Sequence, residues 1–94
     1  MTQAKISVRD NWARVEVIGH AGDARVCAGV SALCCAVLCV LGDLAGDVVY
    51  ESGEVRFSAH LSTERDRGAL DVLIFGLKRL EKDFCGCVGV TLDM

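Results

Sequence analysis

The stretch AKISVRDNWARVEVIGHAGDARVCAGV, residues 4–30, contains a change of hydrophobic period that decides the fold. In its first half apolar and polar residues alternate, which is typical of strands that bury one face. Asp10-Asn11 interrupts the alternation with residues that favour a tight turn. Residues 4–19 therefore predict a β-hairpin, with His20 where the second strand ends. The alternating apolar positions are Ala4, Ile6, Val8, Val15 and Val17.

After Asp23 the apolar residues recur every three or four positions instead of every two. This spacing predicts one amphipathic helix from about Ala24 to about Leu41. Asp23 is a suitable N-cap because its carboxylate can accept from the free amides of the first turn. Gly42 is placed to end the helix. The positions that carry the helical period are Val26, Val30, Leu33, Val37 and Leu41.

The following residues predict a second hairpin and a second helix. Strands at Asp47–Tyr50 and Glu54–His60 flank a turn at Ser52-Gly53. Ser62 or Thr63 can cap the helix after it. The apolar positions of that helix are Leu70, Leu73, Leu77, Leu80 and Phe84.

A short alternating strand at Val88, Val90 and Leu92 completes the predicted order ββαββαβ. The simplest way to bury every apolar stripe is a largely antiparallel sheet with both helices packed on one face, an α/β architecture of the α+β kind. The 94 residues suffice for one core and not for two, so residues 1–94 are expected to form a single domain.

The charge and hydropathy of the chain limit the partners and the cellular location that can be expected. The net charge is −3, and the ten Lys and Arg are scattered among thirteen Asp and Glu, so no nucleic-acid partner is expected. The longest apolar stretch, Val26–Leu41, is shorter than the roughly 20 residues that cross a bilayer. The opening MTQAKISVRD lacks the apolar segment of a secretory signal. These features predict a cytoplasmic protein with no membrane partner.

The chain contains six cysteines, and without a secretory signal they are expected to be reduced thiols. Three of them, Cys34, Cys35 and Cys39, lie within the apolar helix and are predicted to be core residues. Cys85 and Cys87 would share one face of a strand. A zinc site needs further ligands at set spacing, so packing is favoured there, and no metal or cofactor is expected.

Cys27 falls in the first turn of the first helix, where the positive end of the helix dipole favours a thiolate. His20 is the histidine nearest in sequence, and a cysteine nucleophile needs such a base. Arg25 could add positive charge, and Ser31 lies one turn further on the same helical face. From the residues alone, a buried thiol and a structural histidine remain the alternative. His60 would become a rival base only if the fold brought it beside Cys27.

Gly19-His20-Ala21, a loop with Gly and Asp, and the helix start VCAGVSAL at residues 26–33 resemble the signature of the ribosomal-processing cysteine protease family, called Prp. FGLKRLEKDF, residues 75–84, is similar to the second helix of that family. The resemblance covers nearly the whole chain, and it implies a compact α/β fold in the element order derived above.

The resemblance implies that Cys27 is the nucleophile and His20 its catalytic partner. It implies a cysteine endopeptidase, acting through an acyl-enzyme, that removes a short N-terminal extension from a large-subunit ribosomal protein. Backbone amides at the helix start, including that of Cys27, would stabilise the oxyanion. A homodimer is also implied. The supporting or substrate-binding positions are Gly19, Ala21, Asp23 and Ser31.

The chain departs from the family pattern between His20 and Cys27. The loop is shorter, the usual aromatic segment is missing, and Ala24 stands where the family carries an Asp. The nearest Asp is Asp23. A shortened loop favours a second hypothesis, a non-catalytic dimeric module of the same fold that binds a peptide or a ribosomal protein.

Overall fold

Five strands and two helices follow one another along residues 1–94 in the computed structural model, which describes the whole chain. The elements are β1 (Thr2–Arg9), β2 (Trp12–Ile18), α1 (Ala24–Leu41), β3 (Ala45–Glu51), β4 (Glu54–His60), α2 (Glu64–Asp83) and β5 (Val88–Asp93). The predicted order ββαββαβ and the α+β class are confirmed. The third strand begins earlier than predicted, directly after a 3-10 turn at Gly42–Leu44.

The sheet has the strand order β3-β4-β2-β1-β5. All neighbours are antiparallel except β1 and β5, which are parallel. Pairing of β2 with β4 joins the two hairpins, and its register sets Ile18 opposite Glu54 and Trp12 opposite His60. The turn between β3 and β4 therefore lies beside the end of β2, where the chain continues into His20.

The turns follow from local sequence chemistry. Asp10 and Asn11 form the two-residue loop between β1 and β2 with φ angles of 52° and 64°. Positive φ at both central residues is the requirement of the type I′ hairpin turn, and Asp and Asn tolerate it better than most residues. At the start of α2, Thr63 is the N-cap, and it forms a capping box with Asp66.

Both helices pack on one face of the sheet and bury its inward-pointing residues. Ile6, Val15 and Leu73 are fully buried in this layer. The two helices approach closely where Gly76 of α2 meets Leu33 of α1, since a Cβ at Gly76 would lie 2.7 Å from the Leu33 methyl carbons. The core is therefore a sandwich of sheet and helix pair.

Replacing Leu73 by Ala is expected to lower the free energy of unfolding by about 2–5 kcal/mol, because the side chain is fully buried and its removal leaves a cavity. Chemical denaturation monitored by circular dichroism measures the change. Val72→Ala is the matched control, since Val72 is 59% exposed on the same helix. Equal losses from the two variants would contradict this placement of the core.

The placement of the α1 cysteines differs in part from the prediction. All six cysteines of the chain are reduced, and Cys34 is buried as expected. Cys35 and Cys39 are exposed, so their prediction as core residues was wrong. The helix buries one stripe, which includes the predicted positions Val26, Val30, Val37 and Leu41, and Cys35 and Cys39 lie outside it. The exposed side carries Ala28, Ala32, Cys35, Ala36, Cys39 and Val40.

The segment Ala24–Leu44 has the length and composition of a membrane-spanning helix, with 21 residues and a mean hydropathy of 2.2. It is longer than the stretch considered from the sequence because α1 continues into the 3-10 turn. In the fold, its buried side chains belong to the common core with the sheet and α2. Only 28% of its apolar window is buried in the fold, so much of the apolar surface of α1 is exposed.

Candidate active site

A cavity of about 370 Å³ lies where the end of β2, the start of α1 and the turn between β3 and β4 meet. His20, Cys27 and Ser31 all line it. Its opposite wall comes from residues 50–55, on both sides of that turn. The structure thus brings the predicted histidine and cysteine to one cavity, together with residues that the sequence did not indicate.

The backbone before His20 is fixed by contacts with two other elements. Gly19 has a φ of 99°, which favours glycine, and its N–H donates to the Gly53 carbonyl at 2.8 Å. The buried Thr2 donates its hydroxyl to the Gly19 carbonyl at 3.2 Å. A Cβ at Gly19 would lie 2.6 Å from the Met1 carbonyl oxygen. Glycine is therefore required here, and the chain leaves β2 in one defined direction.

The imidazole of His20 is exposed, and it lies against Gly53. A Cβ at Gly53 would be 2.7 Å from His20 Nε2 and 3.2 Å from Cε1. The absence of a side chain at Gly53 is what leaves room for the ring in this position. The turn between β3 and β4 therefore determines where the imidazole lies.

Cys27 is half-buried in the first turn of α1. Asp23 is the N-cap, as predicted, and its Oδ1 accepts from the Arg25 amide at 2.9 Å. Only Ala21 and Gly22 separate His20 from this cap, and Gly22 turns the chain with a φ of 81°. Ala21 is buried in the core and does not line the cavity. The short loop is thus a tight turn that delivers both reactive side chains to one cavity.

The amide of Cys27 donates to the Asp23 carbonyl at 3.0 Å, as the first hydrogen bond of the helix. The expectation that this amide stabilises an oxyanion is therefore not supported, because its proton already has a partner. A reaction at Cys27 would need other hydrogen-bond donors on the cavity wall.

Arg25 does not act as a free positive charge beside the thiol. Its guanidinium is paired with Asp23 at 2.8 Å and lies over the Phe84 ring, 5.0 Å from the centroid. The hydrogen bond from Arg25 lowers the pKa of Asp23 from 3.8 to about 2. Because the folded pKa is the lower one, this ion pair contributes stability that is fully present above the unfolded pKa of 3.8 and is lost as the pH falls from there through about 2.

Ser31 lines the cavity one helical turn after Cys27, as predicted. Its hydroxyl lies 2.8 Å from the hydroxyl of Tyr50, whose single proton can be donated to Ser31 Oγ or to the Ser31 carbonyl oxygen, 3.2 Å away. Tyr50 was not singled out from the sequence, because the approach of β3 to α1 depends on the β2–β4 pairing.

The remaining candidates lie away from this cavity. His60 is at the far end of β4 from Glu54, which lines the cavity, a separation of about 20 Å at the rise of a strand. Its ring packs on Trp12 instead, with centroids 5.0 Å apart. His60 is therefore not a rival base.

The other cysteines do not share the environment of Cys27. Cys85 and Cys87 lie in the turn between α2 and β5 and not on a strand face, which corrects the prediction. Cys85 is exposed, and Cys87 packs against the core. Burial, with a smaller effect of Cys35, raises the pKa of the Cys34 thiol to about 11, so it stays protonated at neutral pH.

A thiol at a helix start and an imidazole on the wall of the same cavity are the groups that define a cysteine-dependent hydrolase. The family model described as cysteine protease Prp matches residues 1–88. The chain belongs to this family.

Solved structures share the fold at low sequence identity. An essential ribosomal processing protease Prp from Staphylococcus aureus, in complex with a covalently linked product peptide, is 23% identical with a TM-score of 0.82, covering 99% of this chain and 100% of that one. The complex of that protease with a substrate peptide is matched at 19% identity, a TM-score of 0.81 and the same coverage. The protein SMU.848 from Streptococcus mutans is 23% identical, with a TM-score of 0.77, over 99% and 94% of the two chains. A comparison with curated proteins found no match.

Proposed function

We propose that this protein is a cytoplasmic cysteine endopeptidase that removes a short N-terminal extension from a large-subunit ribosomal protein, with residues 1–94 acting as one domain. The observation that carries the proposal is the position of His20 and Cys27 on the walls of one cavity. The substrate class is inferred from the family and from the Staphylococcus aureus relative, a ribosomal processing protease whose structures contain peptides.

In the proposed reaction His20 accepts the proton of the Cys27 thiol, and the sulfur attacks the scissile carbonyl carbon. The tetrahedral intermediate collapses when the C–N bond breaks, and the leaving amine takes the proton from His20. Water then attacks the thioester, with His20 accepting its proton. The C–S bond breaks, His20 returns the proton to the sulfur of Cys27, and the cleaved peptide leaves as an acid. Gly19 and Asp23 support this arrangement by fixing the two backbone segments that carry the reactive groups.

The shortened loop is compatible with this function. The aromatic segment missing from the loop would have contacted substrate, but the cavity has a second wall from residues 50–55. That wall includes Glu51 and Glu54, which are paired with each other across β3 and β4 next to the turn. We infer that this turn supplies substrate contacts that longer loops provide in other members.

The experiment that tests the proposal is cleavage of a synthetic peptide that carries the N-terminal extension of the ribosomal protein and the first residues of its mature sequence. Mass spectrometry should find one new bond broken by the native chain and none by Cys27→Ala. Binding of the peptide by both chains without cleavage by either would instead support the non-catalytic binding module. Neither binding nor cleavage would reject both functions.

We also propose that the protein is a homodimer. The support is the apolar side of α1 left exposed by the fold, including Val40 at 40%, and on α2 the exposed Val72 and Phe75 at 59% and 69%. Exposed apolar area of this kind marks association surfaces. Sedimentation velocity at micromolar concentration should give twice the mass of the chain, and a monomer throughout would reject the dimer.

A further inference from the structure

Tyr50, the only tyrosine of the chain, joins the edge strand β3 to helix α1 at the cavity. Its hydroxyl lies 2.8 Å from Ser31 Oγ and 3.2 Å from the Ser31 carbonyl oxygen. β3 is paired on one side only, with β4, and its pairing is irregular between Gly46 and Val49. The tyrosine is thus a side-chain connection between an edge strand and the helix that carries Cys27.

The hydroxyl of Ser31 is directed by this contact. A helical serine commonly donates back to the carbonyl four residues earlier, which here belongs to Cys27. Ser31 Oγ instead has Tyr50 as its partner. The single proton of Tyr50 can go to Ser31 Oγ at 2.8 Å or to the Ser31 carbonyl oxygen at 3.2 Å. A phenol is a stronger acid than an aliphatic alcohol, and the contact with Oγ is the shorter one. When Tyr50 donates to Oγ, Ser31 keeps its own proton for another acceptor in the cavity.

A donor is needed at this place because the Cys27 amide is already bonded to the Asp23 carbonyl. Residues four apart on a helix are neighbours, with Cβ atoms about 5–6 Å apart, so the Ser31 hydroxyl is within reach of a tetrahedral centre formed on Cys27. We propose that Tyr50 is a positioning residue that orients the Ser31 hydroxyl to donate to the developing oxyanion. This inference rests on the proposed function, since it assigns the donor for the same reaction.

Two reagents separate this role from a structural one. p-Nitrophenyl acetate acylates a thiol: the C–S bond forms, an oxyanion develops on the carbonyl oxygen, and p-nitrophenolate leaves. Iodoacetamide alkylates the same thiol by displacing iodide at a tetrahedral carbon, with no oxyanion. Acylation is followed by the burst of p-nitrophenolate after subtraction of the Cys27→Ala rate, and alkylation of Cys27 by peptide mass spectrometry.

Tyr50→Phe keeps the ring and removes the hydroxyl, so acylation is expected to slow by about tenfold while alkylation is unchanged. Ser31→Ala, which removes the proposed donor, is expected to slow acylation by about 10²-fold. The double variant should be no slower than Ser31→Ala, because both changes remove one interaction. Ser58→Ala is the control, since Ser58 bonds the Gly46 carbonyl of β3 outside this cavity.

The positioning role would be overturned if Tyr50→Phe slowed acylation and alkylation equally. It would also be overturned if Tyr50→Phe slowed neither reaction. An acylation rate of the native chain equal to that of Cys27→Ala would overturn the nucleophile and this inference together. If the ribosomal precursor peptide is not cleaved but Tyr50→Phe still slows only acylation, the proposed substrate is wrong and the role of Tyr50 stands. For peptide cleavage, the loss is expected in kcat and not in KM, because the donation strengthens in the transition state.

Discussion

His20→Ala is expected to lower kcat/KM for cleavage of the precursor peptide by about 10²–10⁴-fold, because His20 carries the only imidazole at the cavity that can take the thiol proton and return it to the leaving amine. The ring is exposed and borders the same cavity as Cys27. Little stability should be lost with it, so the variant is expected to unfold at nearly the temperature of the native chain.

The matched control is His60→Ala, which removes the only other histidine of the chain. His60 lies about 20 Å along β4 from Glu54 at the cavity. Steady-state cleavage rates at neutral pH compare the three chains. His60→Ala should retain the native kcat/KM. A loss in His60→Ala as large as that in His20→Ala, or cleavage by His20→Ala at the native rate, would exclude His20 as the base.

Gly53→Ala is expected to reduce cleavage by about 10²-fold or more, although residue 53 carries no reactive group. The added Cβ would lie 2.7 Å from His20 Nε2, closer than real Cβ contacts, so the ring must move. A displacement near 1 Å at a reacting group costs a factor of this size. The turn backbone cannot easily yield, because the Gly53 carbonyl accepts from Gly19.

The variant Gly86→Ala tests whether the loss of activity comes from the contact with His20 or from backbone strain. Gly53 and Gly86 have nearly the same φ, 78° and 85°, but nothing lies within 4 Å of a Cβ at Gly86. Both variants should lose about 1–2 kcal/mol of stability from the left-handed backbone. Only Gly53→Ala should lose activity. Similar cleavage by the two variants would show that the turn does not position the imidazole.

Local sequence could not predict the contact of Gly53 with His20 or that of Tyr50 with Ser31. The His20–Cys27 motif is local, and a strand end followed by an N-cap and a helix start can be recognised from period and residue type. The contacts with Gly53 and Tyr50 join segments that are 33 and 19 residues apart, His20 with Gly53 and Ser31 with Tyr50. They depend on the register of β2 against β4, which no local pattern encodes.

The predictions that were wrong have different causes. Cys35 and Cys39 were assigned to the core because α1 is apolar nearly all round, although both lie outside the stripe that carries the helical period. The pairing of Arg25 with Asp23 is local, whereas its contact with Phe84 depends on the docking of α2 against the start of α1. The engaged amide of Cys27 follows from the predicted cap, since a helix capped by Asp23 bonds the amide of residue 27 to the Asp23 carbonyl.

The sequence by itself determined the order of the elements, the class of the fold, the cap at Asp23, and the two residues on which the proposed chemistry depends. These features follow from hydrophobic period, turn chemistry and helix termini, which act over a few residues. The tertiary structure alone decided that the turn between β3 and β4 completes the cavity and that Tyr50 contacts Ser31. Strand register and packing between layers bring distant segments together, and these are properties of the whole folded chain.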